Sequence, residues 1–283
     1  MILSFHPCFV ADRNLLCAGR KAGSSDLEEI GSADAVILPQ GCREDLYRMA
    51  RENCTNVFPD YEARFKYPGK TGQIRLFQKT GASYPETKIY INICKVYDLS
   101  GKAPERELPF SYPFVLKFDW GGEGESVFLI KNLPELKSVL KKAGEFEKTG
   151  QKGFLLQEYI PTGNRSLRVA VIGRKLISYW RVQKDPEIFY SGLTQGAEAD
   201  YDSDRDLIKI AEDKVRAFCG KTGINLAGFD LLFSPERGNE PLFLEINYFF
   251  GRKGLGGSEN FYKVLNGEIR KWIKNLGLKK KRK

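Results

Sequence analysis

Two carboxylates and one carboxamide interrupt runs that otherwise read as buried strands. "PLFLEINYFF" (241–250) carries Glu245 and Asn247, and "AGFDLLF" (227–233) carries Asp230. Strand side chains alternate between faces, so strict alternation puts Phe243, Glu245 and Asn247 on one face and Leu242, Leu244, Ile246 and Tyr248 on the other. The intervening "SPERGNEP" is rich in turn formers, so the two runs read as a β-hairpin. With Phe233 paired to Leu242, Asp230 falls opposite Glu245. Like charges directly opposed destabilise a sheet, and buried carboxylates are costly unless compensated. A divalent cation would compensate both. Oxygen ligands without His or Cys suit Mg²⁺ or Mn²⁺, and Mg²⁺ is commonly held by one or two carboxylates together with substrate phosphates. The competing reading is a hydrogen-bonded polar cluster with no metal.

Phosphates need a cationic, glycine-rich partner, and "PFVLKFDWGGEGESVFLI" (113–130) offers one. Lys117 projects from the first strand, and Gly121, Gly122 and Gly124 let backbone N–H groups turn toward an anion. An unpaired ammonium inside an apolar run is expensive, which favours an anionic ligand for Lys117. The loop is neither a Walker A motif nor a Rossmann turn, both of which lead into a helix, and a plain hairpin turn is the alternative. Glu123 and Glu125 fit a phosphate loop only if they point outward.

The elements that must hold these groups are legible as an alternation of strands and helices in a chain of 283 residues. "MILSF", "DAVILPQG", the helix-like "REDLYRMAREN" and "TNVFPD" form a first α/β layer. "KYPGKTG" and the periodic "QIRLFQKTG" give a helix that Lys70 opens and Gly81 stops, followed by the extended "KIYINICKVYDL". After a polar linker come the strands "FVLKF" and "VFLI", the amphipathic helix "LPELKSVLKKAGEF", and the strands "FLLQEYI", "LRVAVIG" and "KLISYWRV". A helix within "RDLIKIAEDKVRAFCGKTG" puts Leu207, Ala211, Val215 and Phe218 on one face, with Asp204 as N-cap and Gly223 as stop.

Composition narrows the chemistry. Hydrophobic residues make up 42% and aromatics 12%, as in a globular protein. Of the formal charge of +9, five come from Lys279, Lys280, Lys281, Arg282 and Lys283, so the body is only mildly cationic. A nucleic-acid role through that tail is the weaker reading, because stacking aromatics on a continuous basic face are not evident. Six scattered cysteines and a single histidine, His6, argue against zinc and against histidine-based triads. No apolar run suits a membrane span and the first residues lack a signal-peptide pattern, so a cytoplasmic location is expected.

The order Lys70, Lys117 with its glycine loop, "LLQEYI", "LRVAVIG", then Asp230, Glu245 and Asn247 resembles the ATP-grasp superfamily, closest to its ribosomal-protein glutamate ligase-like branch, from about Lys70 to about Leu265. The resemblance implies an α/β (α+β) fold: an N-terminal α/β domain over 1–68, an ATP-grasp domain over 69–276 with a lid subdomain at about 107–160 and a C-terminal antiparallel sheet, and a basic tail over 277–283. It implies ATP with Mg²⁺ or Mn²⁺ as cofactors. Lys70 and Lys117 would contact phosphates, and Gln157, Glu158 and Tyr159 would read adenine. Arg168 and Arg181 would lie near the transferred phosphoryl group, and Asp230, Glu245 and Asn247 would hold metal. Arg168 could instead pair with Glu158.

The implied reaction is carboxylate–amine ligation, with a thiol as a rarer acceptor, through an acyl phosphate and releasing ADP and phosphate. Its partners would be small-molecule or peptide carboxylates and amines. The sequence departs from the family pattern at Ser166, where an Asp is usual, at Gly192, where an Asn is common, and at "YFFGRKGLGG", where Ser-Ser-Pro-Gly is common. A nucleotide-binding regulator without turnover is therefore the alternative. Arg252 and Lys253 either bind an acidic substrate or coat a loop.

Overall fold

The computed structural model describes residues 1–17, 19–96, 108–121, 126–185, 188–189 and 192–279. The N-terminal layer is a parallel sheet in the order β2 (Arg13–Asn14), β1 (Ile2–Ser4), β3 (Ala35–Ile37), β4 (Val57–Phe58). Helices α1 (Ser24–Gly31) and α2 (Glu44–Asn53) bury Ile30, Leu46, Tyr47 and Ala50 in the same core as Leu3, Val36 and Val57. A short α3 (Glu62–Lys66) follows. Neither β2, α1 nor α3 stands out in the sequence, because each is too short or too polar to show a period.

Next comes α4 (Gly69–Thr80), whose first turn contains Lys70 and Thr71. The second sheet is antiparallel, in the order β5 (Thr87–Tyr90), β8 (Phe154–Glu158), β6 (Phe114–Phe118), β7 (Val127–Ile130), with α5 (Leu133–Lys148) packed on it. Phe114, Leu116, Phe154 and Leu156 face Leu136, Val139 and Leu140 of α5 in one core. The long extended run expected at "KIYINICKVYDL" is shorter: β5 ends where its pairing with Phe154 ends, and a 3-10 turn at Ile93–Lys95 leads to the buried Val96.

The third sheet is antiparallel, in the order β11 (Glu198–Asp200), β10 (Lys175–Val182), β9 (Arg165–Ile172), β12 (Leu226–Leu232), β13 (Leu242–Asn247). On one face Leu167, Val169, Val171, Phe229 and Phe243 meet α4 through Ile74 and Phe77, and α6 (Arg205–Thr222) through Ala211, Val215 and Phe218. On the other, Ala170, Ile172 and Tyr179 meet α7 (Gly257–Asn275) through Phe261, Leu265 and Ile269. Alternation therefore puts Arg168 on the α7 face of β9, at the end where that helix stops covering the sheet. Asp204 occupies the N-cap position of α6, but its carboxylate turns to Arg165 instead of capping the helix.

Candidate active site

β12 and β13 place Asp230 directly opposite Glu245, yet not by the expected register. Leu232, not Phe233, pairs with Leu242, and a β-bulge at Leu244 restores the Asp230–Glu245 pairing. The bulge breaks strict alternation. Phe243 turns into the core beside Phe77 and Phe218, while Leu244, Glu245 and Asn247 all line the cleft. The expectation that Phe243 shares a face with Glu245 is thus corrected, because one extra residue inverts the faces on either side of it.

The sheet also supplies much of the charge compensation assigned from sequence to a metal. Asp230 is 4% exposed. Arg168 on the adjacent strand donates from Nε to Oδ1 at 2.5 Å and from Nη2 to Oδ2 at 3.1 Å. Arg181 Nη2 lies 3.0 Å from Oδ1, and Asn247 Nδ2 donates to Oδ2 at 3.1 Å. Burial alone would raise the Asp230 carboxyl, but the two guanidiniums outweigh it and hold the group below the ordinary carboxylate range. Arg168 pairs with Asp230, not with Glu158. Arg181 additionally donates to Ser166 Oγ from Nε at 3.1 Å and from Nη2 at 2.8 Å.

A carboxylate offers about four lone-pair directions, and the donors around Asp230 use them. The Glu245 carboxylate, half-buried beside it, accepts no hydrogen bond among the described residues, and Lys70, Lys117 and Arg168 feel its charge. The oxygen-only donor set fits a hard divalent cation with Glu245 as its principal anchor. Asp230 could join only by sharing with, or releasing, one of its present donors.

The lysines approach from the opposite wall. Lys117 is 8% exposed, its ammonium donates no hydrogen bond among the described residues, and burial lowers its pKa to about 8. Lys70 reaches across from α4 to the segment joining β6 and β7, donating to the carbonyl of Gly121 at 3.0 Å, to Ser126 Oγ at 3.2 Å and to the carbonyl of Trp120 at 3.5 Å. Burial lowers its pKa as well. Gly121 touches the site through this contact, whereas Gly122, Glu123, Gly124 and Glu125 lie outside the described residues.

Between these walls is a cleft of about 490 Å³. At one end Val115, Val127, Leu155 and Leu244 form an apolar slot beside Gln157, Glu158 and Tyr159. Gln157 Nε2 donates to Thr87 Oγ1 at 2.9 Å, and Glu158 pairs with Arg237 of the β12–β13 loop. The other end is lined by Tyr179, Gly192, Phe249 and Lys253. Phe249 stands 70% exposed at the mouth. Gly254 lies against the Tyr179 ring, where a Cβ would come within 2.2 Å of Cζ. Arg252 stacks over Phe261 and Tyr262 at 4.7 and 4.5 Å, and Lys253 Nζ reaches the Leu193 carbonyl at 3.5 Å. Both basic residues line the cleft as well as coating the loop.

Sequence reasoning missed three contributors. Gln73 uses both ends of its carboxamide on the β13 backbone, accepting from Ile246 N at 2.8 Å and donating to its carbonyl at 2.9 Å. Tyr179 shares the Arg168 and Asp230 face. Asp119, just after β6, joins that strand to α4, accepting from Thr71 N at 2.7 Å. The signal for Asp119 was available: α4 follows Pro68, which has no side-chain oxygen with which to cap it.

Comparison with known proteins bears on the family and the fold. A RimK-like ATP-grasp domain model matches residues 69–269. A probable alpha-L-glutamate ligase 1 from Hahella chejuensis is 29% identical over 233 residues, spanning 78% of this chain and 70% of the relative. Among solved structures, a RimK domain ATP-grasp protein from Sphaerobacter thermophilus superposes with a TM-score of 0.64 at 15% identity, covering 94% of this chain and 98% of its own. The D-alanine–D-alanine ligase of Bacillus anthracis, solved with ATP, gives 0.61 at 14% identity over 94% and 86% of the two chains. From the cleft architecture and the match across most of its length, the chain belongs to the RimK-like ATP-grasp ligase family.

Proposed function

We propose that the protein is an ATP- and Mg²⁺-dependent carboxylate–amine ligase. The observation that carries the reading is the convergence on one cleft of Lys70 and Lys117 from one side and Arg168 and Arg181 from the C-terminal sheet on the other, with the Glu245 carboxylate among them and an apolar slot alongside. Adenine would lie in the slot beside Gln157, Glu158 and Tyr159, and its phosphates would run toward the lysines. Phosphoryl transfer needs positioning and charge neutralisation more than a protein nucleophile, so a site without histidine suffices. Mg²⁺ held by Glu245 and Asn247, with a share in Asp230, would supply further neutralisation of phosphate charge.

The chain's own groups divide the remaining work. Lys117 would receive the phosphate anion in place of the solvent it lacks. Arg181 and Arg168 would face the carboxylate as it takes the γ-phosphoryl group, and an amine would then displace phosphate to leave an amide. The division into an N-terminal domain over 1–68, an ATP-grasp domain over 69–276 and a lid at about 107–160 that excludes water belongs to the same proposal. Substrate carboxylates and amines would enter past Phe249 and Lys253.

A second reading, a nucleotide-binding regulator without turnover, is favoured by the commitment of Asp230 to two arginines. Incubation with Mg·ATP and pooled carboxylates and amines separates the two. Release of ADP and phosphate that requires both pools and is lost in Glu245→Gln supports the ligase. Tight ATP binding without turnover in any mixture supports the regulator, and AMP with pyrophosphate overturns the acyl-phosphate route.

A further inference from the structure

The first turn of α4 has no cap of its own. Pro68 at the N-cap position offers no side-chain oxygen, and no acidic residue lies in the turn. The missing acceptor comes from the lid, 48 residues away: Asp119 accepts from Thr71 N at 2.7 Å through Oδ1 and from Thr71 Oγ1 at 3.0 Å through Oδ2. Thr71 is the third residue of the helix counted from Pro68, the position whose N–H an N-cap side chain normally takes. Gly69 makes room for this approach. Its φ is +69°, and a Cβ there would lie 2.6 Å from Asp119 Oδ1.

The same meeting point holds Lys70, one residue before Thr71, whose ammonium donates to Gly121 and Ser126 on either side of the glycine loop. Asp119 itself is tied to the lid sheet, its N–H donating to the Gly153 carbonyl at 3.2 Å. We propose that Asp119 is a positioning residue: it caps α4 from the lid and thereby sets Lys70 against Gly121 and Ser126, in place for nucleotide phosphates. The inference rests on the ATP-binding reading of the cleft. Asp119 touches no phosphate. It acts by making the helix that carries Lys70 complete only when the lid is seated, so lid closure and lysine placement become one event.

Trp120 adjoins this contact, stacked on Phe118 at 4.9 Å and edge-on to Phe146 at 5.4 Å, and its indole reports the loop without added label. The experiment compares wild type, Asp119→Ala, Asp119→Asn and Thr71→Val by amide hydrogen exchange, tryptophan emission and direct titration with Mg·ATP. A Trp120→Phe background identifies the contribution of that indole to the emission. Asp119→Ala should speed exchange at Thr71, change Trp120 emission without nucleotide, and weaken Mg·ATP binding about 2- to 30-fold, the range expected for losing one cap.

Asp119→Asn, which keeps an acceptor oxygen for the Thr71 N–H, should recover most of the affinity. Thr71→Val, which keeps the N–H and loses only the hydroxyl, should lie between wild type and Asp119→Ala. Unchanged or tighter Mg·ATP binding in Asp119→Ala, or unchanged exchange at Thr71, overturns the inference. Absence of Mg·ATP binding by the wild type overturns the nucleotide reading itself, and the exchange result still decides whether Asp119 caps α4.

Discussion

At the scale of single residues, the site is a balance between a carboxylate that is over-provided with donors and a lysine ammonium that, among the described residues, has no acceptor. Asp230 is held by Arg168, Arg181 and Asn247, so its charge is stable without any ligand. Lys117 is buried with no hydrogen-bond acceptor among the described residues, so its charge is held at a cost that an anion would remove. The sign of the pH dependence follows. Because the folded protein binds this proton less tightly than the unfolded chain, with a pKa of about 8 against the ordinary 10.5, this group makes stability rise as pH climbs from about 8 to 10.5. Over the same range the uncharged lysine attracts phosphate less. Chemical denaturation and Mg·ATP titration across pH 7–10 should therefore move in opposite directions in wild type, and Lys117→Met should remove both trends. Parallel movement would contradict the assignment. In Lys117→Met, relief of the burial cost should also raise stability at pH 7 by about 1–3 kcal/mol while nucleotide affinity falls.

At the scale of elements, the hairpin carrying Asp230 and Glu245 is legible because each run is apolar except at its functional positions. The bulge at Leu244 is not, because Leu244 and Phe243 are equally plausible core residues until Phe77 and Phe218 are seen to receive Phe243. Helix α6 shows its buried face as Ala211, Val215 and Phe218. Helix α7 has as clear a stripe in Phe261, Leu265, Ile269 and Ile273, yet it lies beyond the residues that draw attention to chemistry. Contacts between distant elements are the least legible: Asp119 on Thr71 and Gln73 on Ile246 join segments 48 and 173 residues apart, and the capless Pro68 signals that a cap is needed without saying that Asp119 supplies it. The Gln73 contact is testable. Replacing it with Ala leaves both backbone groups of Ile246 unpaired beside Glu245, and should cost on the order of 2 kcal/mol in denaturant unfolding as well as lowering turnover. If stability and turnover are both unchanged, Gln73 does not hold β13 in place.

At the scale of the whole molecule, four hydrophobic cores surround one cleft: Ile2, Ile37 and Phe58 of the N-terminal layer share the α7-side core of the third sheet, whereas Leu155 alone carries the second sheet's fully buried side chains into the core on the other face. The second sheet meets the β12–β13 loop and α4 through polar groups, including Glu158 with Arg237 and Lys70 with the Gly121 carbonyl. Polar contacts of this kind are weak when exposed, so a ligand in the cleft is expected to add cohesion between the second sheet and the rest of the molecule. At 100 times its dissociation constant, Mg·ATP should stabilise the fold by about 2.7 kcal/mol and raise Tm by several degrees. Glu245→Gln should show a smaller rise. No described helix is long and apolar enough to cross a membrane, and the last four residues of the basic tail lie outside the described residues. The central claim is that a carboxylate is activated as its acyl phosphate. Turnover of Mg·ATP with an ¹⁸O-labelled carboxylate pool and amines, followed by mass analysis of the released phosphate, tests it most directly. The account predicts one labelled oxygen in phosphate for each amide formed; label appearing in AMP, or amide formed with unlabelled phosphate, would contradict it.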